Sequence, residues 1–292
     1  MNILITGGNG QLGKDCEQVF KNSCQTTCID IEGLDITDPD QVDALVKKIQ
    51  PDIIINCAAF TQVDACETQK KTAENVNING PENLARSARK NNSLLVHISS
   101  DYVFDGKKES TESYVEKDFP SPLSYYGRTK LSGERSVMHN TENYIILRTA
   151  WLYGFYGHNF LKAILKKALN QPETQIKIVN DQFGSPTWSF RLALQIEHLV
   201  KNKGWGIYHA SSEGACSWYD FAKYFLEKLN VPHNITPCTT EEYPTPAIRP
   251  KCSILENQRL KKGNLNKMHH WQTDLDDYIH QYGKRLIKDC RE

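Results

Sequence analysis

Short apolar runs alternate with helix-period stretches through the first 150 residues, the pattern of a parallel sheet with crossover helices. Ile3-Leu4-Ile5 is the first run and ends at Gly7-Gly8; Leu12 and Val19 then fall on the apolar side of a helix. Thr26 to Asp30 predicts a second strand. Asp38 and Pro39 follow as N-cap and first helical residue, where proline's missing N–H costs nothing. That helix carries Val42, Leu45, Val46 and Ile49 on one face and stops at Pro51. Ile53-Ile54-Ile55 is apolar throughout, as expected of a parallel strand covered on both faces. A helix near Asn83 to Lys90 leads to a strand Leu94 to Ile98, and a helix around Lys130 leads to a strand Tyr144 to Leu147.

Beyond Trp151 the rhythm is less regular. Helices are predicted at about 159–169 and 191–200, with strands at Ile176 to Val179 and Ile207 to Ala210. Ser217 reads as the N-cap of an amphipathic helix bearing Phe221, Ala222, Phe225 and Leu229. Pro232 to Pro250 contains five prolines and reads as a long surface loop without regular structure. The expected class is α/β, a Rossmann-type doubly wound parallel sheet with a smaller C-terminal lobe. The division expected is 1–153 for the nucleotide-binding part, with sheet contributions from about 174–212, and 154–292 mainly for substrate.

Lys+Arg and Asp+Glu are equal at 35 each, so no overall basic field draws the chain to nucleic acid or an acidic membrane. Nine cysteines are scattered, with no CxxC and no His at zinc-finger spacing, which predicts reduced thiols in a cytoplasmic protein. Met1-Asn2 lead directly into a short strand, so neither a signal peptide nor a membrane span is expected. No clustered ligand motif points to a metal; carboxylates from two copies meeting at an interface leave that question open.

Gly7-Gly8-Asn9-Gly10-Gln11-Leu12-Gly13 places three glycines at GxxGxxG spacing between the first strand and a helix. Such glycines allow a tight turn, close backbone approach to a pyrophosphate and close helix–strand packing. The helix N-terminus adds free N–H groups for the phosphates. Asp30 lies 17 residues after Gly13, at the end of the second strand, where a carboxylate accepts from ribose hydroxyls. This favours NADH, but a nearby cation would reverse the preference. Asp35-Ile36, at the next turn, can hold an adenine between a carboxylate and an apolar wall.

Tyr126 and Lys130 are four residues apart, on one face of the expected helix. That spacing suits carbonyl reduction: the phenol gives a proton as hydride arrives, while the ammonium lowers its pKa and reaches the nicotinamide ribose. Ser99-Ser100-Asp101 ends a strand about 25 residues earlier, at the edge of the sheet where ligands bind. Both serines qualify chemically to bond a substrate carbonyl, and strand alternation points only one of them at the site. A turn or helix-cap hydroxyl is the structural alternative for Ser100.

These motifs, with Asn56-Cys57-Ala58-Ala59, resemble the extended short-chain dehydrogenase/reductases. More narrowly, the chain resembles the dTDP-4-dehydrorhamnose reductase family. The narrower resemblance rests on Gly10-Gln11-Leu12-Gly13, Ser100-Asp101-Tyr102-Val103-Phe104-Asp105-Gly106, Tyr126-Gly127-Arg128-Thr129-Lys130-Leu131-Ser132-Gly133-Glu134, Arg148-Thr149-Ala150-Trp151-Leu152-Tyr153-Gly154, Asp181-Gln182-Phe183-Gly184-Ser185-Pro186-Thr187 and Arg249-Pro250. It implies that Gly10, Gln11 and Leu12 wrap the pyrophosphate of NADPH or NADH, beside Gly7 and Gly13. Asp30, Asp35 and Ile36 would face the adenosine, and Ala58, Ala59 and Phe60 would line the cofactor. Tyr126 would be the proton donor, Lys130 its partner, and Ser100 the group polarising the carbonyl. The family usually has Thr at that last position, and the hydroxyl is kept.

The resemblance further implies that Ser100, Asp101 and Trp151 contact a nucleotide-sugar substrate; the alternative for Trp151 is core packing. Arg249 is a candidate for the diphosphate because a guanidinium fork matches phosphate oxygens, with a surface salt bridge as the alternative. The implied reaction is reduction of the C4 ketone of dTDP-4-dehydro-β-L-rhamnose to dTDP-β-L-rhamnose. Another 4-keto-6-deoxy sugar, an epimerase or dehydratase that recycles NAD, and a non-catalytic dinucleotide-binding regulatory subunit are the alternatives. Such enzymes are commonly dimers, so a second copy of the chain is a further expected partner.

Overall fold

In a computed structural model of the chain, residues 1–291 are described. The first half folds in chain order as β1 (Asn2–Thr6), α1 (Gln11–Phe20), β2 (Gln25–Ile29), α2 (Pro39–Ile49), β3 (Ile53–Asn56), α3 (Val63–Thr68), α4 (Lys70–Glu74), a π turn (Asn75–Asn79), α5 (Gly80–Asn91), β4 (Leu94–Ser100), a 3-10 turn (Asp101–Val103), α6 (Tyr125–Asn140) and β5 (Tyr144–Thr149). The second half adds β6 (Leu152–Tyr153), α7 (Phe160–Asn170), β7 (Ile176–Val179), β8 (Phe183–Gly184), β9 (Thr187–Trp188), α8 (Ser189–Lys201), β10 (Gly206–His209), β11 (Cys216–Ser217), α9 (Trp218–Lys228), β12 (Ile235–Cys238), α10 (Gln258–Lys262) and α11 (Trp271–Arg291).

Six strands form one parallel sheet in the order β10-β5-β4-β3-β1-β2. Alternation along each strand sends side chains to two different cores. Ile3, Ile5, Ile53, Ile55, Ile145 and Leu147 pack with Leu12, Cys16 and Phe20 of α1 and with Leu192 and Ile196 of α8. Leu4, Ile54, Leu95 and Ile146, one position out of phase, pack with α2, α5 and α6 through Val42, Val46, Leu84, Ala88 and Val137. Each buried aliphatic side chain stabilises by roughly 1.5–3 kcal/mol, so a sheet covered on both faces demands the unbroken apolar run of β3. The chain turns from β1 to β2 on one side and to β3 on the other, which opens a crevice at the carboxyl ends of β1 and β3.

A third core gathers α7, β7, α9 and α11 through Leu161, Leu165, Ile178, Phe221, Phe225, Leu275 and Tyr278. Of the two strands expected near 174–212, β10 joins the central sheet. β7 instead pairs with β12 in a separate two-stranded parallel sheet. The proline-rich stretch is therefore not wholly irregular: Pro237 lies inside β12, which has only one neighbour and so leaves a side where a missing N–H is harmless. Local signals placed other boundaries well. The Asp38 carboxylate accepts from the backbone N–H of Asp40 and Gln41, and Ser217 with Asp220 forms a capping box. No helix among the described residues is long and apolar enough to cross a membrane, and all nine cysteines are free thiols.

Candidate active site

The turn after β1 is built by backbone conformation. Gly7 adopts φ +66°, and a Cβ there would lie 2.6 Å from the Ala58 nitrogen, on the turn after β3. A Cβ on Gly13 would meet the Gly7 carbonyl oxygen at 2.3 Å, so glycine lets α1 start against the loop. Gly10 caps α1 without a side-chain bond, which leaves the first-turn N–H groups for an anion. A cleft of about 440 Å³ opens beside this turn, lined by Gly7, Gly10, Asp30, Asp35, Ile36, Ala58, Ala59 and Phe60 among others. No lysine or arginine is among its lining residues.

The other predicted residues of this loop have different surroundings. Leu12 is buried in the sheet core and offers the loop only its backbone. Gln11 accepts from Asn159 Nδ2 through its side-chain oxygen at 2.9 Å, tying the loop to the start of α7. Asp30 Oδ2 accepts the Asn9 N–H at 2.7 Å, so the same carboxylate that faces the cleft also braces the glycine turn. Asp35 Oδ1 accepts from the N–H and hydroxyl of Thr37, which fixes the turn beside Ile36.

At the carboxyl end of β4 the two serines diverge. Ser99 donates to Glu134, whose carboxylate is paired with Arg148 in a buried bidentate bridge. Ser100 faces the other way, donates to Asp101 Oδ1 at 2.9 Å and accepts from the Tyr102 N–H at 3.2 Å. The cap role and the site-facing position thus coincide in one hydroxyl. Burial pushes the Tyr126 phenol far above its ordinary pKa, and the neighbouring Ser100 hydroxyl pulls it back. Tyr102 meets the Tyr126 ring edge-on, centroids 5.6 Å apart.

Lys130 is buried, and its ammonium donates to the Ile98 carbonyl at 2.7 Å. Desolvation lowers its pKa to about 8, against the opposing pull of Glu134. Lysine's long stem, one helical turn beyond Tyr126, takes its charge to the end of β4. The hydroxyl acting on the phenol is that of Ser100. An ammonium has two further donors for a ribose hydroxyl.

A second cleft, about 330 Å³, lies in the C-terminal lobe between α7, β7 and α9. Phe160 and Trp218 line it with the cations Lys167, Lys177 and Arg249. Trp151 stacks on Trp218 and also touches the Val103, Phe104 and Leu255 core, so it combines packing with a face toward this cleft's aromatic wall. Arg249 lines the cleft while its fork holds both Asp64 oxygens, at 3.1 and 2.9 Å. The salt-bridge alternative therefore describes it, at a position that also lines the cleft. Trp218, Lys167 and Lys177 were not identified from sequence: they lie on different elements, and no spacing in the chain connects them. His269, Asp274 and Asp277 come together as well, but Arg191 bridges both carboxylates, at 2.9 and 3.7 Å, and fills that position with a guanidinium.

Residues 1–284 match the family model described as RmlD substrate binding domain. A dTDP-4-dehydrorhamnose reductase of Aggregatibacter actinomycetemcomitans is 37% identical, over 94% of this chain and 96% of that protein. A solved dTDP-4-dehydrorhamnose reductase of Clostridium acetobutylicum superposes with a TM-score of 0.93 at 40% identity, covering 97% of this chain and 100% of that one. One from Bacillus anthracis, solved in complex with NADP, gives 0.92 at 37% identity, over 96% and 99% of the two chains.

Proposed function

The chain belongs to the RmlD substrate binding domain family, and on that premise we infer that it is an NAD(P)H-dependent oxidoreductase reducing the C4 ketone of dTDP-4-dehydro-β-L-rhamnose to dTDP-β-L-rhamnose. The observation that carries this reading is the placement of Ser100, the last residue of β4, beside Tyr126, whose ring packs edge-on against Tyr102 just beyond that serine. Lys130 is anchored beside them on Ile98, next to the crevice lined by the glycine turn.

When bound, the nicotinamide supplies hydride to the carbonyl carbon. Tyr126 gives its phenolic proton to the oxygen, on which negative charge grows as the bond forms. Ser100 donates a hydrogen bond to the same oxygen, an interaction that strengthens toward the transition state and so accelerates the step. Lys130 holds the nicotinamide ribose with the donors not used on Ile98. Gly7, Gly10 and the first turn of α1 take the pyrophosphate, beside Gln11, Leu12 and Gly13. Asp30, Asp35 and Ile36 take the adenosine, and Ala58, Ala59 and Phe60 line the remainder. Asp30, in a cleft lined by no cation, supports acceptance of NADH as well as NADPH.

For the substrate, Trp151 and Ser100 meet the sugar, with Asp101, buried behind Ser100, acting through that hydroxyl, while the cleft of Trp218, Lys167, Lys177 and Arg249 takes the nucleotide diphosphate. In this reading the residues through Tyr153 mainly serve the cofactor and those after it mainly serve the substrate. Nine free thiols suit a reducing cytoplasm.

The test is oxidation of NADH and of NADPH, followed by absorbance, with the keto-sugar generated in place by its epimerase. Oxidation that requires the sugar supports the reading. Conversion of the sugar without consumption of cofactor would favour an epimerase. Dinucleotide binding with no turnover would favour a regulatory subunit.

A further inference from the structure

A serine hydroxyl has one hydrogen to give. In Ser100 that hydrogen is directed to Asp101 Oδ1 at 2.9 Å, and the oxygen already receives the Tyr102 N–H. With Asp101 ionised, nothing remains for Ser100 to donate to a substrate oxygen. Asp101 itself is almost fully buried, at 2% exposure, and its Oδ2 has no hydrogen-bond partner. The nearby Ser253 hydroxyl acts on this carboxyl but makes no hydrogen bond to it, being turned to the Phe183 carbonyl at 3.5 Å. A buried carboxylate with one bare oxygen is costly, and the neutral acid relieves it.

We propose that Asp101 is a positioning residue whose protonation state sets the direction of the Ser100 hydroxyl. As a carboxylate it captures the Ser100 hydrogen. As a neutral acid it donates its own O–H to Ser100 Oγ, which turns the serine hydrogen toward the oxygen that receives the Tyr126 proton. The inference rests on the reductase reading above and adds a pH-dependent residue to it.

Few groups around Asp101 titrate near neutrality. Desolvation raises Asp101 to about 6, against the pull of Ser253 and Ser100. Burial pushes Tyr126 on α6 and Tyr102 on the following turn well above their ordinary values. Arg249, which acts on Tyr102 from the C-terminal loop, stays charged, and its partner Asp64 is held below the usual carboxylate range. Cys66, facing Tyr126, is raised to about 11, and Lys130 titrates at about 8. Asp15 also titrates at about 6 but belongs to α1, against Ser189. Substitution at Asp101 separates the two carboxyls.

The experiment measures kcat/KM from about pH 5.5 to about 7.5, which reports groups of the free enzyme. It compares wild type, Asp101→Asn, Ser100→Ala and the double variant. An asparagine amide donates to Ser100 Oγ at every pH, as the neutral acid does. Wild-type kcat/KM is expected to fall by about an order of magnitude as pH rises through the Asp101 pKa to about 7.5, the part of the ~10²–10³ cost of losing one oxyanion donor that this titration reaches. Asp101→Asn should be flat, so its ratio to wild type rises by the same factor. In the Ser100→Ala background the Asp101 substitution should leave the profile unchanged.

Parallel profiles for wild type and Asp101→Asn would overturn the proposal. So would an Asp101→Asn effect that persists without Ser100. If Asp101→Asn does not fold, Ser100→Ala alone decides, because removing Ser100 must flatten the wild-type decline. Wild type that binds cofactor but never reduces the sugar would instead sink the reductase reading.

Discussion

Trp151 and Trp218 stack face to face, with ring centroids 3.5 Å apart and planes 6° from parallel. Trp151 reaches this position at φ 47°, a left-handed conformation uncommon for a residue with a large side chain. Its indole lies where a Cβ on Gly184 would fall, 2.3 Å away, so the ring fills the space that glycine leaves. Trp218 starts α9 and lines the C-terminal cleft, so the pair ties the turn that carries Trp151 to the wall of that cleft.

Truncation of Trp218 to alanine should therefore loosen Trp151. We expect KM for the sugar nucleotide to rise and kcat to fall, each by about two- to tenfold, the scale of an aromatic pair worth about 0.5–1.5 kcal/mol beyond its area. Loss of the near-ultraviolet circular dichroism of the stacked indoles should accompany it. Unchanged kinetics in a variant that has lost the spectral signature would dissociate stacking from catalysis.

Gly7→Ala should weaken dinucleotide binding. The new Cβ meets the Ala58 backbone at 2.6 Å, and a left-handed residue with a Cβ costs about 1–2 kcal/mol before any clash. Quenching of tryptophan fluorescence by NADPH should weaken at least about tenfold, the equivalent of that strain. Wild-type affinity would show that the turn does not approach the cofactor.

Tyr126→Phe should keep cofactor binding and lose most turnover. Removing a proton donor costs on the order of 10²–10⁴ in rate. Because phenylalanine keeps the buried ring and its edge-on packing against Tyr102, thermal stability should change little. Retained activity would remove Tyr126 from the chemistry.

Asp15 is buried between α1 and α8, where its carboxylate accepts from Ser189, and desolvation raises its pKa from 3.8 to about 6. The folded chain therefore holds this proton more tightly than the unfolded one, and its contribution to stability falls as pH rises through that window. Asp15→Asn should be more stable than wild type above pH 6 by about 1–3 kcal/mol, with the gain vanishing below pH 4. Urea denaturation at pH 4 and pH 8 measures the difference; a gain independent of pH would assign the effect to packing alone.

Patterns within a few residues of one another were readable from the chain. The Ile3-Leu4-Ile5 and Ile53-Ile54-Ile55 runs, the glycine turn, the Asp38 and Ser217 caps and the Tyr126/Lys130 spacing each depend on local geometry, and the fold keeps all of them. The two-sided sheet was legible because burial on both faces requires unbroken apolar strands. Helix α11 and the short helices α3 and α4 were not anticipated, for their apolar faces make sense only against neighbours distant in sequence.

Tertiary structure alone decided several matters at the site. It separated Ser99, bound to Glu134, from Ser100, because only the sheet's two faces distinguish adjacent serines. It took β7 from the central sheet and paired it with β12, since register is chosen by the partner available. It carried the Lys130 charge to Ile98, and it gathered Trp218, Lys167, Lys177 and Arg249 around one cleft. The physical division is one of range: backbone propensity and spacing act over a few residues, whereas burial, hydroxyl direction and charge pairing depend on which segments the folded chain brings together.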